Sequence, residues 1–128
     1  MTPLESSLVE AQSGAISIDE FLAGFVESKV FVLLDKDPGP SGKWDNTISP
    51  LVLNSQSGIP MLAVFTAPER STSWARRLPQ YPFGILTDLR WLLKGTTSGV
   101  GMVINPGSAV GFELSPPGVE RLRTSAAK

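Results

Sequence analysis

Residues 61–70, Met61-Leu62-Ala63-Val64-Phe65-Thr66-Ala67-Pro68-Glu69-Arg70, decide how the chain is built. Five apolar residues in a row read as a buried strand. The next residues turn polar and bring a proline followed by an acid, the signature of a helix start. The segment is strand then helix, with the helix expected to reach about Arg77 and to turn Trp74 and Leu78 inward. The alternation continues downstream. Phe83–Thr87 reads as a strand and Asp88–Lys94 as a short helix ended by Gly95. Val100–Ile104 is a strand closed by Asn105-Pro106-Gly107, and Phe112–Leu114 a short strand. Ser115-Pro116 caps a last helix to about Arg123.

Upstream the rhythm is different. Thr2-Pro3-Leu4-Glu5 is a capping box with proline at the first helical position, opening a helix to about Gln12 that stops at Gly14. Ser17-Ile18-Asp19-Glu20 is a second capping box, followed by Phe21, Leu22, Phe25 and Val26 in one stripe with Ile18. Lys29–Leu34 is a β-branched and aromatic run that predicts a buried strand. Leu51–Leu53 and Met61–Phe65 flank the turn-rich Asn54–Gly58 and read as a hairpin. Asp35–Pro50 is a connection long enough to imply a role or mobility. The expected fold is α/β (α+β): a single mixed sheet of about five strands, an N-terminal meander followed by a β-α-β-α-β parallel part, with helices packed on the sheet. One domain spans residues 1–128.

Composition narrows the chemistry. The chain has no histidine and no cysteine, which excludes Cys/His zinc sites, thiol catalysis, disulfides and any Ser-His-Asp relay. Glu5, Glu10, Asp19, Glu20 and Glu27 fall in residues 1–28, which hold no Lys or Arg. The remaining hundred residues carry all 11 basic and 7 of the 12 acidic residues, a net of +4. An acidic head on a basic body is read first as two halves that complement each other when packed, and second as an acidic face for a basic partner. No dense Lys/Arg stripe points to nucleic acid. Neither a signal-peptide pattern nor an apolar run of membrane-spanning length is present, so a cytosolic protein is expected, with no membrane partner.

Three motifs fail on inspection. Gly39-Pro40-Ser41-Gly42-Lys43 has Asp37 where a phosphate loop needs glycine and Trp44 where it needs Ser or Thr. Asp35-Lys36-Asp37 has Asn46 at the last calcium-loop position and Pro40 at its glycine position. Ser125–Lys128 matches Ser-x-x-Lys but sits in the terminal tail. No cofactor and no metal site is expected. Trp74 and Trp91 lie on helical faces and read as packing residues, whereas Trp44, in the long loop, reads as a hot-spot anchor for a partner.

The strongest constellation is geometric. If the strands ending at Phe65, Thr87 and Ile104 are parallel, their carboxyl ends share the edge where open α/β sheets bind ligands. Thr66-Ala67-Pro68-Glu69, Thr87-Asp88 and Asn105-Pro106-Gly107 then line that edge, with Arg70 and Ser108 as further candidate binding residues. The competing reading is that Thr66, Asp88 and Asn105 merely cap helices and make turns.

The same residues carry a resemblance. Phe65-Thr66-Ala67-Pro68-Glu69-Arg70 resembles the FTSPER stretch of the SseB N-terminal domain family, and Val103-Ile104-Asn105-Pro106-Gly107-Ser108 resembles its hxxNPGS stretch. The acidic helix Ser17–Ser28 and the last helix Ser115–Leu122 are similar to its opening and closing elements, so the likeness spans about residues 4–124. Ala67 departs from the family, which often has serine there. The resemblance implies a bacterial α/β domain linked by name to enhanced serine sensitivity, with no established enzymatic activity. The expected function is a non-catalytic protein-interaction or regulatory domain, not an enzyme, contacting another protein through the 68–70 and 105–108 edge. A homodimer is the self-association this reading allows. The alternative is a sensor of an amino acid or other small anion held by Thr66, Asn105 and Arg70.

Overall fold

The computed structural model describes residues 3–39, 44, 47–55, 57–95, 99–108 and 110–126. Thr2, residues 40–43 of the failed phosphate-loop motif, Asp45-Asn46 and Lys128 lie outside the described residues. Eleven elements and one 3₁₀ turn follow in order: α1 (Pro3–Ser13), α2 (Ile18–Phe25), β1 (Lys29–Leu34), β2 (Val52–Asn54), β3 (Pro60–Val64), the 3₁₀ turn (Pro68–Ser71), α3 (Thr72–Arg77), β4 (Phe83–Asp88), α4 (Leu89–Gly95), β5 (Gly101–Ile104), β6 (Phe112–Leu114) and α5 (Pro116–Ala126).

The local signals act as their chemistry predicts. Gly14 takes φ +84° just past α1, a conformation that an L-residue disfavours. The Ser17 side chain accepts from the Glu20 N–H at 3.1 Å and so caps α2. Pro116 opens α5 after Ser115, whose hydroxyl accepts from the Gly118 N–H at 3.3 Å. Arg123 of α5 donates through Nε to the Leu93 carbonyl at 2.9 Å, satisfying an end-of-helix acceptor of α4.

The sheet differs from the single five-stranded sheet of the sequence reading. Among the described residues six strands form two sheets, β1-β4 and β2-β3-β5-β6. Of the expected parallel part, only β3 and β5 pair in parallel, from Met61↔Gly101 to Val64↔Ile104. β4 instead pairs antiparallel with β1, from Lys29↔Asp88 to Leu34↔Phe83. The reason lies in what each strand can bury. All four residues of β5 are buried, which suits a central position, whereas β4 carries Gly84 and Asp88 and keeps most of its residues exposed. The expected meander survives in part: β2 and β3 form the hairpin, and β1 meets it through isolated bridges Phe31↔Phe65 and Leu34↔Pro50. Because β1 runs opposite to both β3 and β4, the carboxyl ends of β3, β4 and β5 still point the same way, with β1 between β4 and the other two.

Strict alternation divides the strand residues between two faces. Val30, Val32 and Leu34 of β1, Leu62 and Val64 of β3, and Met102 and Ile104 of β5 pack under α1, α2, α4 and α5. Leu33, Met61, Ala63, Phe65 and Val103 face the other way, against Trp74, Ala75 and Leu78 of the α3 segment. Phe21 of α2 stacks on Phe25 and meets Phe112 of β6 edge-on at 6.0 Å. Helix α1 is fastened at both ends to distant parts of the chain: Glu5 to Arg70, and Gln12 through Nε2 to the Gly111 carbonyl at 2.7 Å. No helix among the described residues is long and apolar enough to cross a membrane.

Candidate functional site

The ladder between β3 and β5 does not stop at Ile104. The Asn105 N–H donates to the Val64 carbonyl at 2.8 Å, and the chain then turns with Asn105 at φ +51° and Gly107 at φ +79°. Asn105 is one of the residue types that tolerate this left-handed region. Its side chain extends the ladder in place of a strand residue. Oδ1 accepts from the Thr66 N–H at 2.9 Å, and Nδ2 donates to Thr66 Oγ1 at 2.9 Å and to the Val110 carbonyl at 2.7 Å. Asn105 is 1% exposed and Thr66 is also buried.

Arg70, on the 3₁₀ turn, donates through Nε to Glu5 of α1 at 2.5 Å and through Nη1 to Ser108 Oγ at 3.5 Å. Ser108 Oγ also accepts from the Val110 N–H at 3.1 Å. The Arg70 side chain is 31% exposed and that of Glu5 only 5%. Trp74 donates from Nε1 to the Pro106 carbonyl at 2.6 Å, its ring lies against Gly107, and the Arg77 guanidinium lies over that ring, 4.4 Å from a centroid. Pro68, Glu69 and Gly107 remain exposed at the surface of this platform.

The structure thus brings together Thr66, Arg70, Asn105, Pro106, Gly107 and Ser108 at one end of the sheet, beside Pro68 and Glu69. Trp44 is elsewhere. It is half-buried and meets Trp91 of α4 edge-on at 4.6 Å, on the sheet face opposite to Trp74. Thr87 and Asp88, expected at this edge, end β4 on the far side of β1, where Asp88 lines a pocket of about 310 Å³ together with Ser28, Leu89 and the ion-paired Glu27 and Arg90. Among the described residues, no three acidic side chains converge as a metal site would require.

Two residues take part here in roles that the sequence reading did not give them. Glu5 reads there as a helix-start acid, yet it is buried with Leu8 and Ala11 along one side of α1. That position in an apolar stripe was the available signal, because a buried carboxylate needs a cationic partner. Trp74 was read as packing and also supplies a donor. The charge division along the chain finds its counterpart in space, since Glu5 and Glu27 of the acidic head pair with Arg70 and Arg90 of the body.

Ala67 stands at the N-cap of the 3₁₀ turn with extended backbone and no side-chain cap bond. Ala67→Ser places a hydroxyl at that position and is expected to raise stability by about 0.5–1 kcal/mol. Thermal unfolding checks this; an unchanged or lowered Tm means the hydroxyl finds no N–H there.

These features define a small α+β domain whose parallel-strand edge is closed by a buried asparagine and an arginine–glutamate pair. The chain belongs to the SseB protein N-terminal domain family, whose model matches residues 4–121. Neither a curated protein nor a solved structure gives a significant match.

Proposed function

We propose that this domain is a non-catalytic protein-interaction or regulatory module of the bacterial cytosol, working through the Pro68–Arg70 and Asn105–Ser108 edge. The observation that carries the reading is the closure of the hydrogen-bond network. Asn105 and Thr66 bond each other, and Arg70 bonds Glu5 and Ser108. A small ligand held by Thr66, Asn105 and Arg70 must first break these bonds, and leaving buried groups unpaired costs about 1–3 kcal/mol each. A partner protein needs only the outer surface, where Pro68, Glu69 and Gly107 are exposed on a rigid base. A fixed surface loses little entropy on docking.

Affinity capture tests the reading with the wild type beside Glu69→Arg, which reverses an exposed charge and leaves the network intact. The expected result is a partner retained by the wild type and lost by the variant, at equal thermal stability. Equal recovery by both baits removes this edge as the contact.

A further inference from the structure

Strand β4 pairs along one edge with β1, and among the described residues no strand pairs with its other edge. Which main-chain groups face outward follows from the bonds of β1. Phe31 exchanges both of its main-chain hydrogen bonds with Phe65, the Leu33 carbonyl accepts from Leu51, and the Asp35 N–H donates to Ser49. Main-chain groups alternate sides along a strand, so Val30, Val32 and Leu34 serve β4. Their partners are Thr87, Ile85 and Phe83. Gly84, Leu86 and Asp88 therefore turn their N–H and C=O groups outward, and all three residues are exposed. Leu86 is 49% exposed, the highest of the exposed large apolar residues described.

Natural sheets guard such edges with short strands, prolines, lysines or bulges. The other outer strands of the described residues comply. β2 and β6 have three residues each, with Pro50 two residues before the first and Pro116 two after the second. β4 has a proline too, Pro82, directly before its first residue, but it is twice as long: six residues, Phe83-Gly84-Ile85-Leu86-Thr87-Asp88, with no proline and no basic residue inside it.

We propose that β4 is the interface of a two-fold dimer, in which it pairs antiparallel with β4 of a second copy about Leu86. This is the two-fold register that uses every outward group: Leu86 pairs with its own mate, and each Gly84 pairs with the mate of Asp88. The side chains agree with it. The ring of Phe31 lies over Gly84, where a Cβ would come within 2.2 Å of it, and shares the sheet face of Leu86. The two-fold then joins Phe31, Leu86 and their mates into one apolar ridge. The charges agree as well. Each Asp88 lies opposite a glycine and beside its own cross-strand partner Lys29, so the two carboxylates stand at opposite ends of the contact. A register slipped toward Asp88 brings them together. One six-residue strand pair falls short of the roughly 800 Å² per partner of a standard interface, so the dimer is weak and concentration-dependent.

Sedimentation equilibrium on the full chain, from low micromolar to millimolar concentration, is the test, with amide hydrogen exchange followed in parallel. The wild type is expected to shift from monomer to dimer, with the Gly84, Leu86 and Asp88 amides gaining protection as it does so. Leu86→Lys is expected to weaken dimerisation by at least about tenfold while the dilute protein melts at the wild-type temperature. A monomer at every concentration overturns the proposal. So does a dimer that Leu86→Lys leaves intact, or one in which those three amides stay unprotected.

Discussion

Asn105→Ala is expected to destabilise the domain by about 3–5 kcal/mol, lowering Tm by roughly 10–20 °C. The side chain makes three hydrogen bonds, to the Thr66 N–H, Thr66 Oγ1 and the Val110 carbonyl, in a site that is 1% exposed. Truncation leaves these groups without that partner where water does not readily reach, and such a group costs more than the bond itself contributes. Alanine also fits φ +51° less well than asparagine. Asn105→Gly separates the two effects. Glycine accepts the backbone conformation, so it should recover about 1 kcal/mol of the alanine loss and no more. Denaturant unfolding of the three proteins measures both steps. A loss below about 1 kcal/mol for alanine would show that the edge is held by the β3–β5 ladder alone.

Arg70→Ala is expected to cost about 2–3 kcal/mol. Breaking a buried ion pair typically costs more, but Arg70 is 31% exposed, so water moderates the loss on its side. The Glu5 carboxylate, 5% exposed, loses the guanidinium at 2.5 Å and remains within the core packing of α1. Replacing both residues by apolar ones, Glu5→Leu with Arg70→Met, should restore most of the stability, because neither charge then has to be kept from water. The double-mutant cycle of Glu5→Ala and Arg70→Ala gives the coupling directly. Additivity within about 0.5 kcal/mol would mean that the pair does not fasten α1. Neither Arg70 nor Asn105 is therefore a suitable variant for mapping a partner, since loss of binding would report loss of the platform.

The elements legible in the sequence are those whose signal is local. Ser17 with Glu20, Gly14 past α1, and Ser115-Pro116 before α5 fix helix ends through bonds and dihedrals within a few residues. Strand order is a competition between distant segments for buried positions. The sequence holds only an indirect trace of the winner, in the contrast between Gly101–Ile104 and the glycine- and aspartate-bearing Phe83–Asp88. The site divides the same way. Thr66 and Asn105 stood out because each directly follows an apolar strand, and parallel pairing of those strands brings them together. Glu5 meets Arg70 across 65 residues of chain, and no spacing rule reaches that far. Trp44 was singled out by its loop neighbours, while its actual contact, Trp91, depends on how α4 lies under the sheet.

The two fastenings of α1 bear on the order in which the chain acquires its shape. Its anchors, Arg70 and the Gly111 carbonyl, lie 65 and 99 residues further along than Glu5 and Gln12. Ribosomal synthesis delivers the N-terminal end first. Helix α1 can therefore bury Leu8 and Ala11 against the neighbouring α2 early, but its two polar fastenings must wait until residues 70 and 111 have been made. Closing loops of this length is an entropic cost met before any contact rewards it, so these two fastenings form late. A chain cut short before residue 105 has neither the asparagine clasp nor the second anchor for its first helix.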